Sequence, residues 1–189
     1  MSWLPVLTEP DVTLHRVRPE DWRSHRDLRL EMLQDAPDAL WTQYADVADV
    51  DEATWRGRIT AQHHLQARIG DDVVGSVGVF EDADEADDTL TLVAMYVTER
   101  ARGRGVGDRL VRAVLDEALA RGRRHVVLEV TSGNDPAISL YRRMGFVPTG
   151  ERSPHPRRAD LSELRMRCDL AEPRSPATRM PRDRRDLEG

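Results

Sequence analysis

The six residues Arg102-Gly103-Arg104-Gly105-Val106-Gly107, set between an apolar run and a helical pattern, carry the clearest chemistry in this sequence. Glycines let a backbone turn sharply and approach a ligand without interference from Cβ. The first amides of the helix that follows have no intrahelical partner, and the helix dipole adds positive potential at that end. Together these features suit a pyrophosphate, with arginine side chains at hand for further phosphates. The plainer alternative is a flexible Gly-Arg loop. A P-loop does not fit, because that motif ends in Gly-Lys-Ser/Thr and the chain contains no Lys. A dinucleotide fingerprint does not fit either. It places two residues before its third Gly and an acid about 20 residues on, whereas Gly103, Gly105 and Gly107 alternate.

Such a loop needs a strand before it and a helix after it, and the flanking pattern supplies both. Leu90–Val97 reads as the strand. Leu110, Val111, Val114, Leu115 and Ala118 follow helical spacing, with Gly122 as C-cap. Upstream, Val12–Val17 reads as a short strand. Arg18-Pro19-Glu20-Asp21 opens a helix that Pro37 stops. Asp51 is the N-cap of a second helix running to about His63. Leu65–Ile69 and Val73–Phe80 form a hairpin through Gly70-Asp71-Asp72, and with Leu90–Val97 they make an antiparallel meander. Downstream come strand Val126–Val130, a helix opened by Asp135-Pro136 and closed by Gly145, and closing strands Phe146–Thr149 and Leu164–Leu170 around a Pro- and Arg-rich loop. The acidic run 81–88 is expected at a solvated hairpin tip. Cys168 is expected as a small core residue.

The 189 residues fit one domain with surplus chain, at roughly 150 residues per domain. Residues 1–171 are assigned to that domain. Residues 172–189, with three Pro, five Arg and few apolar side chains, read as a disordered tail. One cysteine forms no internal disulfide and no Cys-based zinc site, and no metal is expected. The longest apolar run is six residues, Leu92–Val97, against about 20 for a membrane helix. No secretory signal is evident, which points to the cytoplasm. The net charge of −6, from 34 acids and 28 bases, argues against broad nucleic-acid binding. The bases are nevertheless concentrated, with eight Arg against three acids over residues 100–124, as a site for a small anion would require.

These residues, taken with a second group downstream, resemble the GNAT superfamily of acetyl-CoA-dependent N-acetyltransferases. The family's phosphate loop, Gln/Arg-x-x-Gly-x-Gly/Ala, is matched by Arg102, Gly105 and Gly107. Its second pattern, Asn-x-x-Ala followed by a Tyr and a Gly-Phe, is matched by Asn134, Ala137, Tyr141, Gly145 and Phe146. The resemblance covers roughly residues 12–170. It implies an α/β (α+β) fold with a mixed, mostly antiparallel sheet, splayed at its centre and covered by helices on both faces. It implies that Arg102 through Asp108, including Arg104 and Val106, hold the acetyl-CoA phosphates. Val97 would offer backbone bonds to the pantetheine arm and Asn134 would bond its amides. The Met95 amide would bind the acetyl carbonyl, and Tyr141 would protonate the departing thiolate. Asn134 and Tyr141 stand seven residues apart, about two turns, and so share a helix face. The amine acceptor attacks directly in this family.

One position departs from the pattern. Some members carry a Glu four residues before the Met95 position as general base, and here Thr91 stands there. Glu31, Glu129, His155 or a bound water chain are the alternatives. Trp41 and Tyr44 lie where the family builds its acceptor wall. A non-catalytic acyl-CoA-binding module on the same fold is the competing reading, and a homodimer is left open.

Overall fold

The computed structural model describes residues 11–170. The stretch 172–189, expected as a tail, lies outside the described residues. Seven strands form one sheet in the order β1-β2-β3-β4-β5-β7-β6. They are β1 Val12–Arg16, β2 His63–Ile69, β3 Asp72–Phe80, β4 Thr89–Val97, β5 His125–Thr131, β6 Val147–Pro154 and β7 Ser162–Asp169. The helices are α1 Trp22–Asp35, α2 Glu52–Ala61, α3 Val106–Ala120 and α4 Asp135–Arg143. Every pairing is antiparallel except β4 with β5.

Strand alternation assigns the two faces. On one side Ala67, Val77, Val79, Val126, Leu128 and Met166 pack in a single cluster with Leu110, Val111 and Val114 of α3 and with Ile138 and Tyr141 of α4. On the other side Leu28 and Met32 of α1 pack on Tyr96, and the His25 ring meets the His64 ring. A satellite cluster of Trp22, Leu33, Val47, Trp55 and Ile59 joins α1 to α2. The Asp51 carboxylate caps α2 by accepting from the Thr54 amide at 2.8 Å, as its position predicts.

Two elements differ from the sequence expectation. β6 runs on to Pro154, with a register shift between Pro148 and Arg152, instead of ending at Thr149. As the sheet's outermost strand it tolerates prolines that an inner strand would exclude. The acidic run is also not merely a solvated tip. Glu85 ion-pairs with Arg165, and Glu81 with Arg123, which folds the connection back over the sheet. Among the described residues no helix is long and apolar enough to cross a membrane.

Candidate active site

The central irregularity lies between β4 and β5. They pair only at Thr89–His125, Leu90–Val126 and Thr91–Val127. Beyond that β5 follows β7, β4 follows β3, and the two strands part. β4 also carries an extra residue opposite β3: Ser76 pairs with Tyr96 and Gly78 with Val93, so Ala94 and Met95 have no partner on either neighbour. Ala94 takes φ +50°, a conformation that costs a non-glycine residue free energy and commonly marks a functional site. The bulge leaves Ala94 and Met95 of β4 out of the ladder register.

The glycine loop enters beside this opening. A short 3-10 turn, Glu99–Ala101, leads into it. Gly103 and Gly105 both sit at φ +73°, and a Cβ built on either meets nothing within 4 Å. Gly105 is the N-cap of α3, so the first amides of α3 face the open side of the loop. Gly107 has a different duty. A Cβ there would lie 3.0 Å from Leu140 and 3.5 Å from Met95, so the missing side chain lets α4 and β4 close on α3. Val106 is buried in the core, and Asp108 pairs with Arg143 at 2.7 Å, tying the start of α3 to the end of α4. The Arg102 guanidinium ion-pairs with Asp35 and donates to the Val97 carbonyl at 3.1 Å. Arg104 is exposed, with no ion-pair partner among the described residues.

On α4, the Asn134 side-chain oxygen accepts from the Ala137 amide at 3.3 Å and so caps the helix, leaving its NH2 unpartnered among the described residues. Tyr141 is 5 % exposed, and its ring lies 5.7 Å from Phe146. Burial raises the pKa of its hydroxyl above the ordinary phenol value, so the group stays protonated at neutral pH. Its hydroxyl has no hydrogen-bond partner among the described residues.

Across the sheet a cavity of about 840 Å³ opens between α1, α2, β4, β5 and the acidic connection. Thr91 and Val93 line it from β4, and Val127 and Glu129 from β5. Partial burial, and then the neighbouring Glu163, push the Glu129 carboxyl above its usual range. The other two candidate bases are committed elsewhere. Glu31 pairs with Arg100 at 3.5 Å and accepts from the Tyr96 hydroxyl at 3.4 Å. His155 is buried: Nε2 donates to the Asp38 carbonyl at 2.8 Å, and Nδ1 accepts from the amides of Arg157 and Arg158. That pattern makes the ring a structural hub. Trp41 lines the cavity and is 65 % exposed, while Tyr44 does not line it. Sequence reasoning missed four cavity residues, His25, Arg29, Arg58 and His64. The i,i+4 spacing of His25 and Arg29, on the side of α1 that also carries Leu28 and Met32, was the available signal. Among the described residues no group of three or more His, Cys, Asp or Glu is placed to hold a metal.

Comparison with known proteins agrees with this geometry. The N-alpha-acetyltransferase RimI of Mycobacterium tuberculosis is 35% identical over 111 residues, 59% of this chain and 68% of that protein. Streptothricin acetyltransferase of Streptomyces lavendulae is 48% identical over 61 residues, and the chain spans only 32% of its length. The structure of yncA from Salmonella typhimurium, determined with its cofactor acetyl-CoA, superposes with a TM-score of 0.70 at 22% identity. That superposition covers 89% of this chain and 99% of the other. Residues 20–146 match the acetyltransferase (GNAT) family. With the parted strands, the glycine loop at the head of α3 and the seven-stranded mixed sheet, that match makes this chain a member of the GNAT acetyltransferase family.

Proposed function

We propose that this chain moves the acetyl group of acetyl-CoA onto a primary amine of a small molecule or peptide, by direct attack. The parting of β4 from β5 carries the reading. It leaves an opening flanked on the α3/α4 side by the glycine loop and on the other side by the cavity, so that donor and acceptor can meet at the β4 bulge.

The residues present fit the donor. Gly103 and Gly105 leave their Cβ positions open for a pyrophosphate against the first amides of α3, and nearby Arg104 has no ion-pair partner among the described residues. Acetyl-CoA supplies an activated acyl carbon on a thiol leaving group. The Met95 amide, freed from the ladder by the bulge, donates to the acetyl oxygen as negative charge develops there. Val97 and the Asn134 NH2 hold the pantetheine arm. Glu129 takes the proton lost by the acceptor nitrogen as the new C–N bond forms. Tyr141 gives its proton to the sulfur as the C–S bond breaks. The products are an amide and free coenzyme A thiol. Protons then re-equilibrate with solvent.

Thiol release from acetyl-CoA, followed across a panel of amines, tests the reading, with calorimetry for coenzyme binding. Gly105→Glu places a side chain and a like charge where the pyrophosphate should lie. It is expected to abolish coenzyme binding in a protein that still folds. Unchanged affinity would refute the loop assignment, and binding without turnover on any amine would favour a non-catalytic module.

A further inference from the structure

The cavity walls carry opposite charge. On the sheet side the cavity is lined by Glu129 of β5, Glu163 of β7, Asp82 and Asp84 of the β3–β4 connection, and the Glu85–Arg165 ion pair, a net acidic set. The helical wall holds Arg29 of α1 and Arg58 of α2, with His25 and His64 between helix and sheet. Several described arginines are matched to acids, among them Arg56 to Glu52, Arg143 to Asp108 and Arg165 to Glu85. Arg29 and Arg58 are not. The half-buried Arg29 guanidinium has a single hydrogen bond, to the Met32 sulfur at 3.1 Å, and Arg58 lies over the Trp55 ring at 5.1 Å. Among the described residues neither has a carboxylate partner.

A half-buried guanidinium with no carboxylate partner, set beside a second cation, is costly to hold in a cavity. Burial and then Arg58 lower the pKa of Arg29. The histidines are equally telling. Their rings lie 4.5 Å apart. Burial, then Arg29 and Arg58, lower His25 to about 4, and burial, then His25 and Arg29, lower His64 to about 3. Both rings are therefore neutral at physiological pH, where their N–H groups can donate to an oxyanion without adding charge.

We propose that the acceptor is a small amine that also carries an anionic group, a carboxylate or phosphonate, and that Arg29 and Arg58 bind this oxyanion. The inference rests on the reading that the cavity receives the acceptor. An amino acid or a close analogue satisfies both walls at once. Its amine faces the carboxylates by the β4–β5 opening, and its oxyanion supplies the counter-charge that the helical wall lacks. A polyamine would set its second cation against Arg29 and Arg58 and leave them unpaired.

The test compares matched acceptors in the thiol-release assay with the full-length enzyme: amino acids, their amides, aminoalkylphosphonates and spermidine. Charge-assisted hydrogen bonds to the oxyanion should favour amino acids or aminophosphonates over the amides by about 10- to 100-fold in kcat/KM. The arms with carboxylate and phosphonate distinguish which anion is taken. Arg58→Gln, at an exposed position that should not disturb folding, and Arg29→Gln are each expected to collapse that ratio toward one by raising KM for the anionic member. Coenzyme affinity, read by calorimetry, should stay unchanged. Arg29→Lys should restore part of the preference. Equal or better turnover of amides or spermidine by the wild type overturns the proposal while leaving acetyl transfer intact, as does a preference that survives both substitutions. Coenzyme binding with no turnover of any amine overturns acetyl transfer itself, and this proposal with it.

Discussion

Tyr141 and Glu129 stand at opposite ends of the proton path proposed here, and each yields a distinct experiment. Tyr141→Phe keeps the ring and its contact with Phe146 while removing the only proton the side chain can give. General acid catalysis typically contributes roughly a hundred- to ten-thousand-fold, so kcat should fall by that order. Coenzyme affinity and Tm should barely move, because no cavity is made. A packing role alone predicts nearly full activity, and kcat above about half of wild type, with chemistry limiting, would remove Tyr141 from the mechanism. Glu129 is the converse case. Its pKa is raised in the folded protein, so it acts as a base only above that value. The kcat/KM profile should therefore fall on the acid side at a pH above the ordinary carboxylate range, and Glu129→Gln should remove this limb along with most of the rate. Linkage fixes the sign of the stability effect. A carboxyl bound more tightly to its proton when folded favours the native state at low pH and disfavours it as pH rises through the folded pKa. Glu129→Gln should accordingly raise Tm at neutral pH, and a lower Tm would show that the attraction of Arg165 outweighs desolvation and the repulsion from Glu163.

At the scale of elements, the cavity mouth is fastened from the β6–β7 connection. Arg157, in the connection between β6 and β7, donates to the carbonyls of Pro37, Leu40 and Trp41, and so fastens the segment after α1 over the cavity. A net hydrogen bond contributes about 1 kcal/mol, so Arg157→Ala should cost about 1–2 kcal/mol in chemical denaturation. It should raise KM for the acceptor while leaving KM for acetyl-CoA alone. An equal effect on both would mean that the segment does not border the acceptor site. The order and type of the strands and helices were legible from the chain, because alternation on β2 and β3 and the Leu110–Ala118 stripe on α3 are strong periodic signals. The glycine loop was legible too, since glycine takes φ +73° at least cost there. The parting of β4 from β5 was expected only through the family resemblance, which implies a sheet splayed at its centre, and not from the residues themselves. Leu90–Val97 reads as one uninterrupted strand, and nothing in an alanine announces the left-handed turn at Ala94. The helical wall of the cavity was equally hidden. Arg29 on an amphipathic helix looks like a solvated face until β2 brings His64 against it, a contact between residues far apart in sequence. β6 was under-read for the opposite reason: its prolines and arginines mimic a loop, and only its place at the sheet's rim permits them.

Taken whole, the molecule is a sheet with a different environment on each side, and the proposed function sets coenzyme on the α3/α4 side and acceptor on the α1/α2 side, joined through the gap between β4 and β5. Among the described residues, a sheet that parts at its centre still ends in two rims without a further strand. β1, five residues long, forms one of them, and β6, with Pro148, Pro154 and a broken register, forms the other. Free rims are templates onto which further chains can add, and proline, bulges and brevity are the usual ways of blunting them. The irregularity of β6 thus acts as a guard against end-to-end stacking of sheets. Restoring a regular rim with Pro148→Val and Pro154→Thr should leave acetyl transfer intact yet produce light scattering that grows with protein concentration; a variant that stays clear at the concentrations wild type tolerates would show that solubility is protected by other means.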